Sequence, residues 1–130
     1  MNWFRRVLGG RETTTTSGPV TLDIDRRKEQ LARLETALDA LVAQLRERDD
    51  LIVTPGWKER VSEYQHASGE AMRRRATGAF TRAELLDLVF EIRPVYTGAP
   101  PHGLEHVGPL QDEVLAAADE LREVLPSERG

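Results

Sequence analysis

Along residues 24–45, apolar side chains recur in steps of three, four or seven: Ile24, Leu31, Leu34, Leu38, Leu41 and Leu45. Steps of that size put them on one face of an α-helix, because 3.6 residues complete a turn. The stripe is clean only from Leu31 to Leu45, since Arg27 and Arg48 occupy the next core positions at either end. Asp23 and Asp25 place negative charge at the start, where the helix dipole favours it. With Leu31 taken as an a position, Ala37 and Val42 fall on flanking sites that carry charge in a solvent-lined coiled coil. The widened apolar face favours packing against several helices of the same chain over a long two-stranded coil.

A second helix is predicted after the break at Asp49-Asp50. Thr54 suits the N-cap, and Pro55 suits the first helical position, where a missing N–H costs nothing. The pattern carries this helix to about Ala76, with Trp57, Val61, Tyr64, Ala71 and Met72 inward and Gly78 as its stop. Thr81-Arg82-Ala83-Glu84 reads as a capping box, in which Thr81 and Glu84 satisfy each other's backbone donors. It opens a third helix with Leu85, Leu88, Val89 and Ile92 inward, Leu86 and Phe90 at the edges, and Pro94 as terminator. Residues 93–108 hold four glycine or proline breakers between Pro94 and Pro101, then Gly103 and Gly108, and read as a connector. Pro109 starts a fourth helix running to about Leu125, with Leu110, Val114, Ala117, Ala118, Leu121, Val124 and Leu125 inward. Pro126 stops it and leaves 127–130 as a frayed tail. No credible strand run appears. The expected fold is all-α, a small irregular bundle of about four helices spanning residues 21–126.

Composition changes this picture little. At 130 residues, with 39% hydrophobic and 31% charged, the chain can bury one core without disulfides or metal. It has no cysteine, which removes thiolate ligands, disulfides and cysteine nucleophiles. No apolar run approaches the roughly 18 residues that a membrane-spanning helix needs, and residues 1–8 do not resemble a secretion signal. A cytoplasmic protein is expected. The net charge of −4 is unevenly distributed. Residues 1–78 carry 14 Lys and Arg against 12 Asp and Glu, and residues 79–130 carry 4 against 10. A generally basic nucleic-acid-binding domain is therefore not indicated.

Three patterns invite a chemical reading. His102-Gly103-Leu104-Glu105-His106 has the H-x-x-E-H spacing of one class of zinc peptidases, in which two imidazoles four residues apart share a helix face. Gly103 lies inside the pattern, Pro101 precedes it and Gly108-Pro109 ends it, so only about a turn and a half of helix fits. His102 and His106 are thus weak metal candidates, better read as polar residues on a hinge-like connector. Glu63-Tyr64-Gln65-His66 is an E-x-x-H, but no second one completes a di-iron set, and His66 falls opposite the apolar face, beside Glu70. Arg73-Arg74-Arg75 offers guanidiniums for phosphate. It also sits in a last helical turn, where cations complement the carbonyls. No nucleotide-binding loop, nucleophile elbow, cofactor motif or small-molecule site is evident.

Residues 1–12 form a separate amphipathic segment, in which Trp3, Phe4, Val7 and Leu8 accompany Arg5, Arg6 and Arg11. Residues 13–20, TTTTSGPV, form a linker. Such a segment suits docking to a partner or weak contact with an anionic membrane surface, placing the chain at the membrane periphery. The reading that follows is a non-catalytic interaction or scaffold module without cofactor, binding another protein or itself. Its candidate partner-binding residues are Trp3, Phe4, Val7, Leu8, Leu31, Leu34, Leu38, Leu41 and Leu45. A metal-dependent hydrolase built on HGLEH and a nucleic-acid-binding protein built on Arg73–Arg75 are the rival readings.

Overall fold

The computed structural model describes residues 21–48 and 55–129. Trp3, Phe4, Val7, Leu8, the linker and Thr54 lie outside the described residues. Contacts divide the chain into a helical unit, Ile24–Glu123, and a second unit made of the two chain ends, Met1–Asp23 with Val124–Gly130.

The helical unit contains α1 (Ile24–Glu47), α2 (Pro55–Thr77), α3 (Arg82–Phe90) and α4 (Gly108–Arg122), with no strand among the described residues. The all-α expectation holds. Successive helices run antiparallel, as the pairs across them show. Asp39 and Glu35 of α1 meet Ser68 and Arg75 of α2. Tyr64 and Arg74 of α2 meet Arg93, beyond α3, and Glu84 near its start. Arg33 of α1 reaches Glu113 and Glu120 of α4. The helices thus form an up-down-up-down bundle in which α1 packs against both α2 and α4 and α3 closes the far side.

The core is centred on α1. Leu31, Leu34, Leu38, Leu41 and Leu45 are completely buried, flanked by Ala37 and Val42. At about 1.5–3 kcal/mol for each buried leucine side chain, this stripe is a principal source of the bundle's cohesion. Opposite it lie Tyr64, Ala67 and Ala71 from α2, Leu85, Leu88 and Val89 from α3, and Val114, Ala117, Ala118 and Leu121 from α4. Met72 was expected inside but is 45% exposed. The inner face of α2 is built from small residues, Ala67, Ser68 and Ala71, which let it approach α1 closely; Met72 lies at the rim of that face, about 80° around the helix from Tyr64.

Caps define three of the helix ends. Thr81 Oγ1 accepts from Glu84 N–H at 3.1 Å while Glu84 accepts from Thr81 N–H at 2.9 Å, the expected box. Gly78 ends α2 in the left-handed region (φ +64°), its N–H bonded to Arg74 C=O at 2.8 Å. The helix α4 stops at Arg122, three residues before the expected end, because Glu123 is already extended (φ −82°, ψ 146°). Its terminal carbonyls are taken by Arg27, a fully buried arginine of α1. Nη1 of Arg27 donates to Gln30 Oε1 at 2.9 Å and to the carbonyls of Glu120 and Leu121 at 3.3 and 3.4 Å. Nη2 donates to Glu123 C=O at 2.6 Å. The charge that interrupts the leucine stripe is therefore the C-terminal cap of another helix.

In the second unit, the tail is ordered where fraying was expected. Pro126–Glu128 form a 3-10 turn, and the buried Glu128 carboxylate accepts from Asp23 N–H at 2.9 Å and Leu125 N–H at 3.0 Å. Ser127 Oγ donates to Asp23 at 2.6 Å, so the two ends of the described chain are stapled together.

Candidate functional site

Five places are open to chemistry or recognition. In the connector, Glu105–Val107 form a single 3-10 turn running into α4. A 3-10 turn eclipses residues three apart, so Leu104 and Val107 point to one side, and both are buried. His102, Glu105 and His106 consequently face solvent. His102 Nδ1 lies 3.9 Å from Glu105, whose carboxylate also accepts from Gly103 N–H at 3.0 Å. Hydrogen bonds from the backbone N–H groups of Glu105 itself and of Gly103 hold the Glu105 carboxyl below the usual carboxylate range, with smaller help from the two imidazoles. Among the described residues, no three histidine or carboxylate side chains converge as a metal site requires.

Hydrogen bonds hold the connector at several points. Tyr64 Oη donates to Arg93 C=O, and burial beneath the bundle pushes the Tyr64 phenol up. Gln111 Oε1 accepts from Val95 N–H at 2.6 Å, and its amide donates to Tyr96 C=O at 3.2 Å. Arg48 donates to Gly103 C=O at 3.0 Å. Gly103 adopts φ +88°, a turn that favours glycine. Ile92, Leu104 and Val107 anchor both ends in the core.

The Arg73–Arg75 cluster is spread over three partners. Arg73 pairs with Glu70 at 2.8 Å, Arg74 with Glu84 at 3.1 Å, and Arg75 with Glu35 at 2.7 Å. The Arg73 hydrogen bond is the main reason that the Glu70 carboxyl is lowered. Successive residues fan about 100° apart around a helix, so the cluster ties α2 to itself, to α3 and to α1. It presents no common cationic face for phosphate.

An open cleft of about 700 Å³ lies between α2 and the end of α3, lined by Glu59, Ser62, Glu63, His66, Glu91 and Arg93. It contains the E-x-x-H pattern. Glu63 is occupied by Arg60 at 2.8 Å and Arg93 at 2.7 Å, and His66 is exposed, as its place on the helix predicts. Every lining residue except Glu63 is solvent-exposed.

What remains is apolar surface. Phe90 is 84% exposed and Leu86 37% exposed, and with the exposed Ala83 they occupy positions i, i+3 and i+7 of α3. Sequence patterning places Leu86 and Phe90 at the edges of the inward face, and both are exposed there. The other surface is a groove between the outer sides of α1 and α4, lined by Ala32, Arg33, Thr36, Ala37, Ala40, Leu110 and Glu113. The five leucines proposed for partner docking contribute to neither, since they have no accessible surface in the folded chain. Comparison of the chain with protein-family models, curated proteins and solved structures found no match.

Proposed function

We propose that the protein is a non-catalytic helical interaction module that docks another protein, or a second copy of itself, through the outer face of α3. One observation carries the reading: α3 is apolar on both sides. Leu85, Leu88 and Val89 fill the core, while Phe90 and Leu86 stand in solvent. The spacing of Ala83, Leu86 and Phe90 is that of helical anchors entering a partner's groove. Burying a phenylalanine side chain contributes about 1.5–3 kcal/mol, enough to make Phe90 the energetic centre of such an interface. This face replaces the buried leucine stripe as the docking surface. Cytoplasmic residence, with residues 1–11 as a partner or weak membrane contact, belongs to the same proposal.

The experiment compares the full chain with Phe90→Ser. Solution mass is measured over a range of concentrations, and co-purifying proteins are identified from the native source. The expected result is a dimer or a stoichiometric complex for the unaltered chain that is lost in Phe90→Ser, with both proteins melting within about 2 °C of each other because the site is exposed. Identical masses and identical co-purifying proteins for the two would refute the reading.

A further inference from the structure

Given α3 as the docking face, we infer that its occupant is the basic, apolar segment formed by residues 1–11 of a second copy, exchanged reciprocally between two chains. One sequence supplies both halves of the contact. Residues 1–11 carry Trp3, Phe4, Val7 and Leu8 with three arginines, Arg5, Arg6 and Arg11, and no carboxylate. Residues 79–130, which contain α3 and α4, carry 4 Lys and Arg against 10 Asp and Glu. A wholly basic segment therefore meets its electrostatic complement in the last part of the same chain.

Beside Phe90 the acidity is local and lies on one side. Rotation by about 100° per residue puts Asp87 about 60° and Glu91 about 100° from Phe90 in one direction, while Leu86 lies about 40° away in the other. Glu91 also lines the open cleft towards α2, together with Glu59. Glu59, Asp87 and Glu91 are exposed, and none forms an ion pair among the described residues. The basic side chains that border them are engaged. Arg93 and Arg60 both hold Glu63, at 2.7 and 2.8 Å, and Arg74 holds Glu84 at 3.1 Å. Towards α4, Arg122 pairs with Asp119 at 3.0 Å, and Arg82 donates to the Arg122 carbonyl at 2.7 Å. Arg82 falls on the Leu86 side of Phe90, eight residues earlier and about 12 Å away along the helix at about 1.5 Å per residue. Three carboxylates thus remain to receive cations brought from outside, next to an apolar pair, Leu86 and Phe90, that lacks a cover.

The run Trp3-Phe4-Arg5-Arg6 has both parts of the match: aromatic anchors for Leu86 and Phe90, and adjoining guanidiniums for Asp87, Glu91 and Glu59. Tryptophan and arginine are also the residues that most often dominate interface energy. Two α3 faces set directly against each other would instead bring Asp87 and Glu91 against their own copies. Reciprocal exchange avoids that repulsion, and because each chain offers one segment and one face, two contacts close a two-fold dimer.

The test uses two full-length variants: Trp3→Ser with Phe4→Ser, which keeps the face, and Phe90→Ser, which keeps the segment. Circular dichroism verifies that both are folded, and sedimentation follows mass over a dilution series. The unaltered chain is expected to dimerise, and each variant alone to lose about a hundredfold in dimer affinity, since both contacts go. An equimolar mixture should associate about tenfold more tightly than either variant with itself, because one intact segment meets one intact face. Replacing Arg5, Arg6 and Arg11 together by glutamine should weaken the dimer about tenfold, and rising salt should weaken the unaltered dimer. A monomeric unaltered chain, an undiminished dimer in Trp3→Ser with Phe4→Ser, or a mixture that behaves as its separate components would each overturn the inference. If the dimer survives Trp3→Ser with Phe4→Ser but is lost in Phe90→Ser, α3 remains the docking face with a different occupant, which separates this failure from failure of the α3 reading.

Discussion

Arg27 provides the most searching test of how this bundle is held together. It occupies a leucine-stripe position, is fully buried, and donates to the carbonyls of Glu120, Leu121 and Glu123 at the end of α4. Consider Arg27→Met, which keeps most of the volume and removes the cation and its donors. A hydrogen bond from a charged donor contributes about 1.5–3 kcal/mol, but these bonds share one guanidinium and two of them are long, so they do not add. A cation at a partly buried helix C-terminus contributes up to about 2 kcal/mol. Together these give an expected loss of about 3 kcal/mol. Buried charges can sometimes be replaced by apolar residues without loss, provided that their partners are replaced too. Here the acceptors are backbone carbonyls, which remain after the substitution. Arg27→Lys, retaining charge but not the planar fork, should lose about 1–2 kcal/mol. Urea unfolding monitored by circular dichroism measures both, and the Met variant should melt about 12–24 °C lower, at roughly 4–8 °C per kcal/mol. An Arg27→Met protein at least as stable as the unaltered chain would show that the capping argument is wrong.

Other expectations concern the connector and the arginine cluster. Val107→Ala should destabilise the protein by about 1–3 kcal/mol in chemical unfolding, whereas His102→Ala and His106→Ala should each fall within about 0.5 kcal/mol, because only Val107 is buried. A larger effect from either histidine than from Val107 would contradict the placement of this turn. The folded-state pKa of Glu105 is depressed, so its hydrogen bonds stabilise the turn above the ordinary carboxylate range and are lost as pH falls through the lowered value. The Gly103 amide resonance should therefore titrate with a midpoint below that of glutamate in an unstructured peptide; an equal or higher midpoint would refute the assignment. For Arg75 and Glu35, both partly exposed, a double-mutant cycle to alanine should return a coupling of about 0.3–1 kcal/mol. A coupling indistinguishable from zero would remove Arg75 from the ties between α2 and α1.

Much of the fold was legible because local physics and tertiary packing agree. The period of the leucines, the capping box at Thr81 and the glycine stop at Gly78 each act within a few residues, so the sequence alone determined the helices, their order and the inward face of α1. It also placed His66 outside, since rotation about one helix is a local property. What it could not determine depends on groups far apart in the chain. Arg27 looked like an interruption until the carbonyls at the end of α4, 93–96 residues away, were brought over it. Arg74 and Arg75 find their carboxylates on α3 and α1, beyond the reach of any local pattern. His102 and His106 held the eye in HGLEH, yet Leu104 and Val107 decide that turn, because a 3-10 turn with a core beside it buries one eclipsed pair and exposes the rest. Likewise, an apolar side chain says only that it gains by leaving water. Which apolar residues succeed, the five leucines, and which are left out, Leu86 and Phe90, is settled by the faces that neighbouring helices offer, and no single helix contains that information.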